Sequence, residues 1–379
     1  MERLTYDEGV YLLKYADLKT LQLKAQEIRN KKNPSNRVTF VLDSNPNYTN
    51  ICSVDCSFCA FYRHKGAKDV YMKSIDQVME HFKRAREAGI NTVLLQGGVN
   101  PDLTIDYYVG LVKAAVQRYP EIHPHFFSAV EIWQCAKSSN LTTRQVLEKL
   151  WEAGQRTLPG GGAEILSENV RLQISPKKIG PNGWITIHKE AHEIGYRTTA
   201  TMMYGHVEEP EDVVAHLETI RAAQDIIPGF TSFIPWSYKR DRTALRRKVT
   251  HWAGADHYFR ILSFARLYLD NFDHIGASWF GEGKEIGIQS LCYGADDFGG
   301  TIMEENVHTA TGWINRADHN DMLRMIRQAG FEPAQRNTFH TILRTYEGVD
   351  SVAIPEAQKV TEEDNQAPLG IFAEKKCCH

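Results

Sequence analysis

Residues 75–98, IDQVMEHFKRAREAGINTVLLQGG, run from a helix-like segment over Ile75–Ala88 through Gly89 into a short apolar run that ends on a glycine pair. Gly89 fits a left-handed helix cap, a conformation that glycine enters without steric cost. The same order recurs along the chain. Further helix-like segments cover Tyr107–Arg118, Thr143–Ala153, Trp184–Glu193, Pro210–Ala223 and Ala255–Leu269, and Gly154, Gly195 and Gly330 follow helices in the same way. Between them lie HFFSAV, TLPGGGA, TTATMMYGH, FTSFIPW, HIGASWF and GGTIM; with TVLLQGG and the stretch leading into Cys52 they make eight candidate strands. Strand then helix, eight times over, specifies an α/β fold, a (β/α)8 TIM-like barrel.

In such a barrel the chemistry sits at the C-terminal ends of the strands. That rule selects Cys52, Gln96, Gly97, Gly98, Glu131, Gly160, Gly161, Gly162, Glu164, Gly205, His206 and Trp236. Ahead of the barrel, Tyr6–Lys32 carries apolar residues near helical period. The chain therefore divides into an N-terminal helical extension (1–35), a barrel with C-terminal helices (36–354) and a charged, apolar-poor segment (355–379) expected to be a flexible tail.

The 379 residues are 42% hydrophobic and 24% charged, a globular composition that needs no disulfide staples. A net charge of −3 leaves no global basic field for a nucleic-acid backbone, so nucleic acid is excluded as a partner. No apolar run approaches the roughly 18 residues that span a bilayer, and the start lacks a signal-peptide pattern; no membrane association and a cytoplasmic location are expected.

In a reducing compartment, clustered cysteines bind metal more often than they form bridges. NYTNICSVDCSFCAFYR, residues 47–63, places three of the seven cysteines at Cys52, Cys56 and Cys59, a C-x3-C-x2-C spacing. Structural zinc usually needs a second C-x2-C pair or nearby histidines; only one such pair exists, and a zinc scaffold with His64 as fourth ligand is the competing reading. Three soft thiolates on one loop suit a four-iron cluster that keeps one iron open to a small chelating molecule.

The spacing, with Phe58 before the last cysteine, closely resembles the signature of radical S-adenosylmethionine enzymes. The resemblance implies a radical SAM barrel, a 4Fe-4S cluster on Cys52, Cys56 and Cys59, and S-adenosyl-L-methionine as cofactor, with Phe58, Gln96, Gly97, Gly98 and Glu131 among its contacts. Within that superfamily, NYTNICSVDCSFCAFYR, LPGGGAEIL, RTTATMMYGHVE, FTSFIPW and IMEENV together resemble the futalosine cyclases of menaquinone biosynthesis. Aminofutalosine synthases and FO synthase subunit 2 are the neighbouring alternatives.

What this implies is a radical cyclisation of dehypoxanthine futalosine: hydrogen abstraction at ribose C4′, addition to the attached benzoate ring, then loss of a proton and an electron. A one-electron donor such as flavodoxin or ferredoxin is the implied partner. Gly160, Gly161, Gly162, Glu164 and Trp236 are the expected substrate contacts. His206 is the first candidate for the proton-accepting base because imidazole titrates near neutral pH, with Glu304 and Glu305 behind it.

Two other features are set aside. HKEAH puts His188 and His192 four apart on a wall helix, away from the strand ends. KRDRTALRRKV, residues 239–249, carries six basic residues against one Asp and reads as a solvated face, or as the source of one arginine for a substrate carboxylate.

Overall fold

The computed structural model describes residues 2–361 and 364; Cys377, Cys378 and most of the expected tail lie outside the described residues. Two helices, Tyr6–Tyr15 and Leu18–Lys32, come first, as the N-terminal pattern indicates. They pack on the barrel-wall helices Pro210–Ile226 and Ala255–Tyr268. The strands are β1 (Arg37–Val41), β2 (Asp43–Ser44), β3 (Thr92–Leu95), β4 (His123–Phe126), β5 (Thr157–Leu158), β6 (Arg197–Tyr204), β7 (Phe230–Ser237), β8 (His274–Ile275), β9 (Asp297–Gly300), β10 (Glu332–Arg336) and β11 (Ile342–Thr345).

β2 to β8 form one parallel sheet in sequence order. β8 reaches β9 through the parallel Gly276–Asp297 bridge, and β9 pairs with β1, which runs on into β2. The ring of the expected (β/α)8 barrel is thereby closed. Helix starts are fixed by reciprocal side-chain caps, among them Ser74 with Gln77 and Thr142 with Gln145. Gly89, Gly154, Gly195 and Gly330 all have positive φ, as their place after helices requires.

Strand alternation makes the lumen hollow. On β3, Thr92 and Leu94 face inward while Val93 and Leu95 are fully buried in the apolar core. β6 repeats this with Thr199 and Thr201 inward and Ala200 and Met202 outward. Bulky aliphatic residues normally fill such a lumen. Here threonine, serine and histidine leave a cavity of about 470 Å³ reaching from the cysteines to a polar floor.

Three expectations need correction. The first strand ends at Ser44, so Cys52 lies within a long loop and not at a strand end. HFFSAV stops being a strand at Phe126, because Ser128 caps a helix, Ala129–Ser139, with Glu131 reaching back to it. In place of several C-terminal helices, the described residues after β9 hold one α-helix, His319–Gln328, beside the short 3-10 turns Thr309–Thr311 and Glu356–Gln358, and the antiparallel pair β10 and β11. EPAQR has no strand propensity of its own; the open edge of β1 recruits it, Arg37 to Phe40 pairing with Glu332 to Gln335.

β10 delivers Arg336 to the floor, where Nη2 donates to Asp297 Oδ1 at 2.7 Å and Nε donates to the other oxygen. Burial alone would raise Asp297, but the guanidinium outweighs it and holds the carboxyl well below its usual range. Arg336→Leu is expected to destabilise the fold by about 3–5 kcal/mol, since it strands a buried carboxylate. Urea titration of Arg336→Leu beside Arg336→Leu/Asp297→Asn should show the double variant recovering part of that loss. A depressed carboxyl contributes stability above its unfolded pKa of about 4, lost as pH falls through the folded value. The difference between wild type and Arg336→Leu should thus persist at neutral pH and shrink in acid.

Candidate active site

Between Asn45 and Ser74 the chain is held mainly by side chains. Asn47 Nδ2 donates to Gln96 O (2.9 Å), Thr49 Oγ1 to Tyr71 O (2.8 Å) and Asn50 Nδ2 to Asp69 O (2.9 Å). Backbone bonds Cys52 N to Arg63 O (3.0 Å) and Arg63 N to Asn50 O (2.7 Å) close the loop on itself. Ser57 ties it to the helix Glu168–Ile174, its N and Oγ both donating to Ile174 O. The asparagines and threonine of NYTN therefore fix the course of the loop that carries the cysteines.

Cys52, Cys56 and Cys59 line the same cavity, with Cys56 buried and the other two half-buried. Burial pushes the Cys56 thiol up to about 12 and raises Cys59, partly offset there by the backbone N–H groups of Tyr62 and Phe61. Metal binding would have to displace these protons. Burial works against the Lys178 ammonium, but Cys56 and Glu164 outweigh it and raise its pKa; its Nζ donates to Glu164 Oε1 at 2.8 Å and stands over the Phe58 ring.

Among the described residues, no three His, Cys, Asp or Glu side chains gather tightly enough to hold one metal ion. His64 is exposed and absent from the cavity wall. Three thiols without a fourth protein donor fit an open iron-sulfur cluster better than closed zinc.

Gln96, Gly97 and Gly98 line the same cavity as the cysteines, with Gly98 N donating to Thr49 O at 2.8 Å. A Cβ on Gly98 would lie 2.3 Å from Ile51 O, so the two backbones touch only because the side chain is missing. Gly98→Ala is expected to cost about 1–3 kcal/mol by overpacking and to lower iron uptake on reconstitution, read by thermal melting and iron assay. Glu131 accepts from Tyr48 OH (2.7 Å), Gly97 N (3.0 Å), Ser128 N (2.7 Å) and Ser128 Oγ (2.7 Å). Burial raises it to about 7 against these bonds. Its four acceptor bonds are internal, which makes it a support for Gly97.

Gly160 N donates to Thr199 Oγ1 (2.9 Å), and Thr201 Oγ1 donates to Gly160 O (2.7 Å). Gln96 occupies the space beside Gly161, and Arg171 Nη1 donates to Gly162 O at 3.1 Å. The triple glycine is thus a pinned wall. Glu164 Oε2 is buried without a hydrogen bond, 3.6 Å from Arg171.

The three base candidates separate. His206 does not line the cavity: its side chain is fully buried, Nε2 3.0 Å from Met203 O and Nδ1 3.0 Å from Glu208. Burial lowers its pKa, so it is a structural imidazole. Glu304 points away, paired with His81 (2.8 Å) and Arg84 (3.0 Å), which outweigh burial and hold it at about 2. Glu305 alone faces the cavity. Burial raises it to about 7, offset in part by the N–H groups of His308, Val307 and Thr309.

Trp236 lines the wall but already packs on His308, ring centroids 5.6 Å apart, and Phe280 stacks on His308 from 5.1 Å. Burial, with Lys239 nearby, lowers His308 to about 3, so it is a neutral imidazole. His308, Phe280, Asp43, Asn45 and Arg336 all line the cavity and none was selected from the sequence. Asp43 and Asn45 continue the inward alternation of Val41, a readable signal; Arg336 arrives from 295 positions beyond Val41 and had none. His188 is buried against Trp184 and Phe230, and His192 bonds to Thr198 Oγ1 at 2.7 Å, so HKEAH serves packing.

Residues 46–220 match the model of the radical SAM superfamily, and residues 227–348 match that of the CofH/MqnC C-terminal region. The chain is 40% identical over 348 residues to a cyclic dehypoxanthine futalosine synthase of Halalkalibacterium halodurans, covering 91% of this chain and 93% of that one. It is 36% identical over 355 residues to an aminodeoxyfutalosine synthase of Thermus thermophilus (92% and 95% covered). It is also 37% identical over 314 residues to a 5-amino-6-(D-ribitylamino)uracil–L-tyrosine 4-hydroxyphenyl transferase of Methanopyrus kandleri (82% and 85%). The fold matches methylornithine synthase PylB, TM-score 0.67 at 19% identity over 88% of this chain and 95% of that one. It likewise matches the hydrogenase maturase HydG, TM-score 0.70 at 16% identity over 88% and 73%.

Proposed function

Because the chain belongs to the radical SAM superfamily, in the group that carries the CofH/MqnC C-terminal region, we propose that it cyclises dehypoxanthine futalosine for menaquinone biosynthesis. The family's 4Fe-4S cluster and S-adenosylmethionine supply, when bound, a carbon radical that takes hydrogen from the ribose. Cys52, Cys56 and Cys59 would hold the cluster, and Gln96, Gly97 and Gly98 the nucleotide cofactor at the adjoining wall.

The observation that carries the reading is a single cavity joining the three thiols to Glu305, a carboxyl that burial raises to about 7. Glu131 is raised as far but is held by Tyr48 under Gly97, whereas Glu305 adjoins the aromatic stack on His308. A substrate that reacts with itself gains most from being held in one pose. The pinned Gly160–Gly161 backbone gives a flat wall, and the Trp236–His308–Phe280 stack offers an aromatic edge beside Glu305. Glu305 would then take the proton from the ring carbon where the new bond forms, and the electron left on the ring would return to the one-electron-oxidised cluster. The two hydrogens lost are thus one atom to 5′-deoxyadenosine and one proton plus electron. The arginines of the 239–249 run take no part, since none of them lines the cavity.

Anaerobically reconstituted enzyme given reductant, S-adenosylmethionine and dehypoxanthine futalosine should yield 5′-deoxyadenosine and a product lighter by two hydrogens that keeps its carboxylate. An inert substrate, with aminodeoxyfutalosine formed from that enzyme's substrate instead, would assign the chain to the neighbouring activity.

A further inference from the structure

The basic run 239–249 does not enter the cavity, yet it lies against the cysteine loop. Leu245 is buried and its N–H donates to Ser57 O at 2.8 Å, between Cys56 and Cys59. The residues that follow, Arg246, Arg247 and Lys248, are exposed and have no ion pair among the described residues. Arg242 is exposed as well. On the other side of Ser57, the helix that receives its bonds leads to exposed Lys177, and Leu172 on that helix is an exposed apolar side chain. The run's one acid, Asp241, is exposed and outnumbered, and Asp55 on the cysteine loop is already paired with Lys177 at 2.6 Å. A chain of net charge −3 thus presents a net cationic face beside the loop that carries its metal ligands.

We propose that Arg242, Arg246, Arg247 and Lys248 form the docking surface for an acidic one-electron carrier protein that reduces the cluster. This rests on the radical SAM assignment and not on the identity of the substrate. Complementary charge steers such a carrier and orients it, while the few apolar atoms suit a brief encounter. The Ser57–Leu245 bond makes the docked face continuous with the ligand loop. In the step itself one electron leaves the carrier's fully reduced flavin, which becomes one-electron reduced, and enters the cluster; no proton or bond is exchanged with the enzyme.

The test is stopped-flow reduction of the reconstituted holoenzyme, followed by loss of cluster absorbance, with no substrate present. Reduced flavodoxin serves as acidic carrier and photoreduced deazariboflavin as neutral reductant. Arg246→Glu/Arg247→Glu/Lys248→Glu should slow flavodoxin by about tenfold or more and leave deazariboflavin unchanged. Calorimetry with oxidised flavodoxin should show the matching loss of affinity. Wild type alone should lose a similar factor with flavodoxin as salt rises to about 0.3 M, which keeps the proposal testable should the variant misfold. Equal flavodoxin rates in wild type and variant, or salt-insensitive wild-type rates, overturn it. Failure of cyclisation with normal flavodoxin steering would strike the proposed substrate and spare this surface.

Discussion

Cys56→Ala protein, reconstituted anaerobically with iron and sulfide, is expected to lack the visible absorption of a cluster and to form no 5′-deoxyadenosine. The middle thiol of C-x3-C-x2-C is the buried one, and the acid beside it, Glu164, is already held by Lys178 (2.8 Å) and offers a hard oxygen in place of a soft thiolate. The loop itself should survive. Ser57 still bonds to Ile174 and Leu245, and losing one small buried side chain costs about 1 kcal/mol. The informative pattern is therefore a nearly unchanged melting curve of the metal-free protein beside a total loss of iron binding. A cluster that persists in this variant would mean that a different ligand set holds the metal.

Glu305→Gln should lower turnover by about a hundred- to ten-thousandfold, the usual contribution of a positioned acid–base group. The amide keeps the shape and can still accept from the N–H groups of Val307 and His308, so the turn that carries it should persist. The pH profile is the sharper readout. With its pKa raised to about 7, the carboxyl is protonated below that value and unable to accept a proton, so wild-type turnover should fall as pH drops through 7. The variant should lose that acid limb. Asp43→Asn is the control: Asp43 also lines the cavity and burial raises it to about 6, but it accepts from Ile302 N (2.7 Å) near the Arg336 floor. Its variant should keep the limb at 7. A limb that vanishes in Asp43→Asn and persists in Glu305→Gln would transfer the role.

Helix and strand order was legible because each signal spans few residues. Period, glycine caps and capping pairs such as Ser74 with Gln77 act within a turn or two, and all four anticipated cap glycines have positive φ. SAVE was equally legible: Ser128 and Glu131 are three apart, and the strand was read through a helix start. The adjacent acids Glu304 and Glu305 could not be ranked this way. One meets His81 and Arg84, the other the cavity, and which does which depends on where the chain turns after β9.

The residue types of the cysteine loop and the alternation of βα units alone determined the metal chemistry and the barrel, because thiol softness, spacing and periodicity are local properties. Tertiary structure decided the rest: that burial raises Glu305 and not Glu304, that His206 is sealed away, and that Arg336 floors the cavity. Those outcomes depend on burial and on pairings such as Arg37 with Glu332, between residues far apart in the chain, for which no local pattern carries the energy.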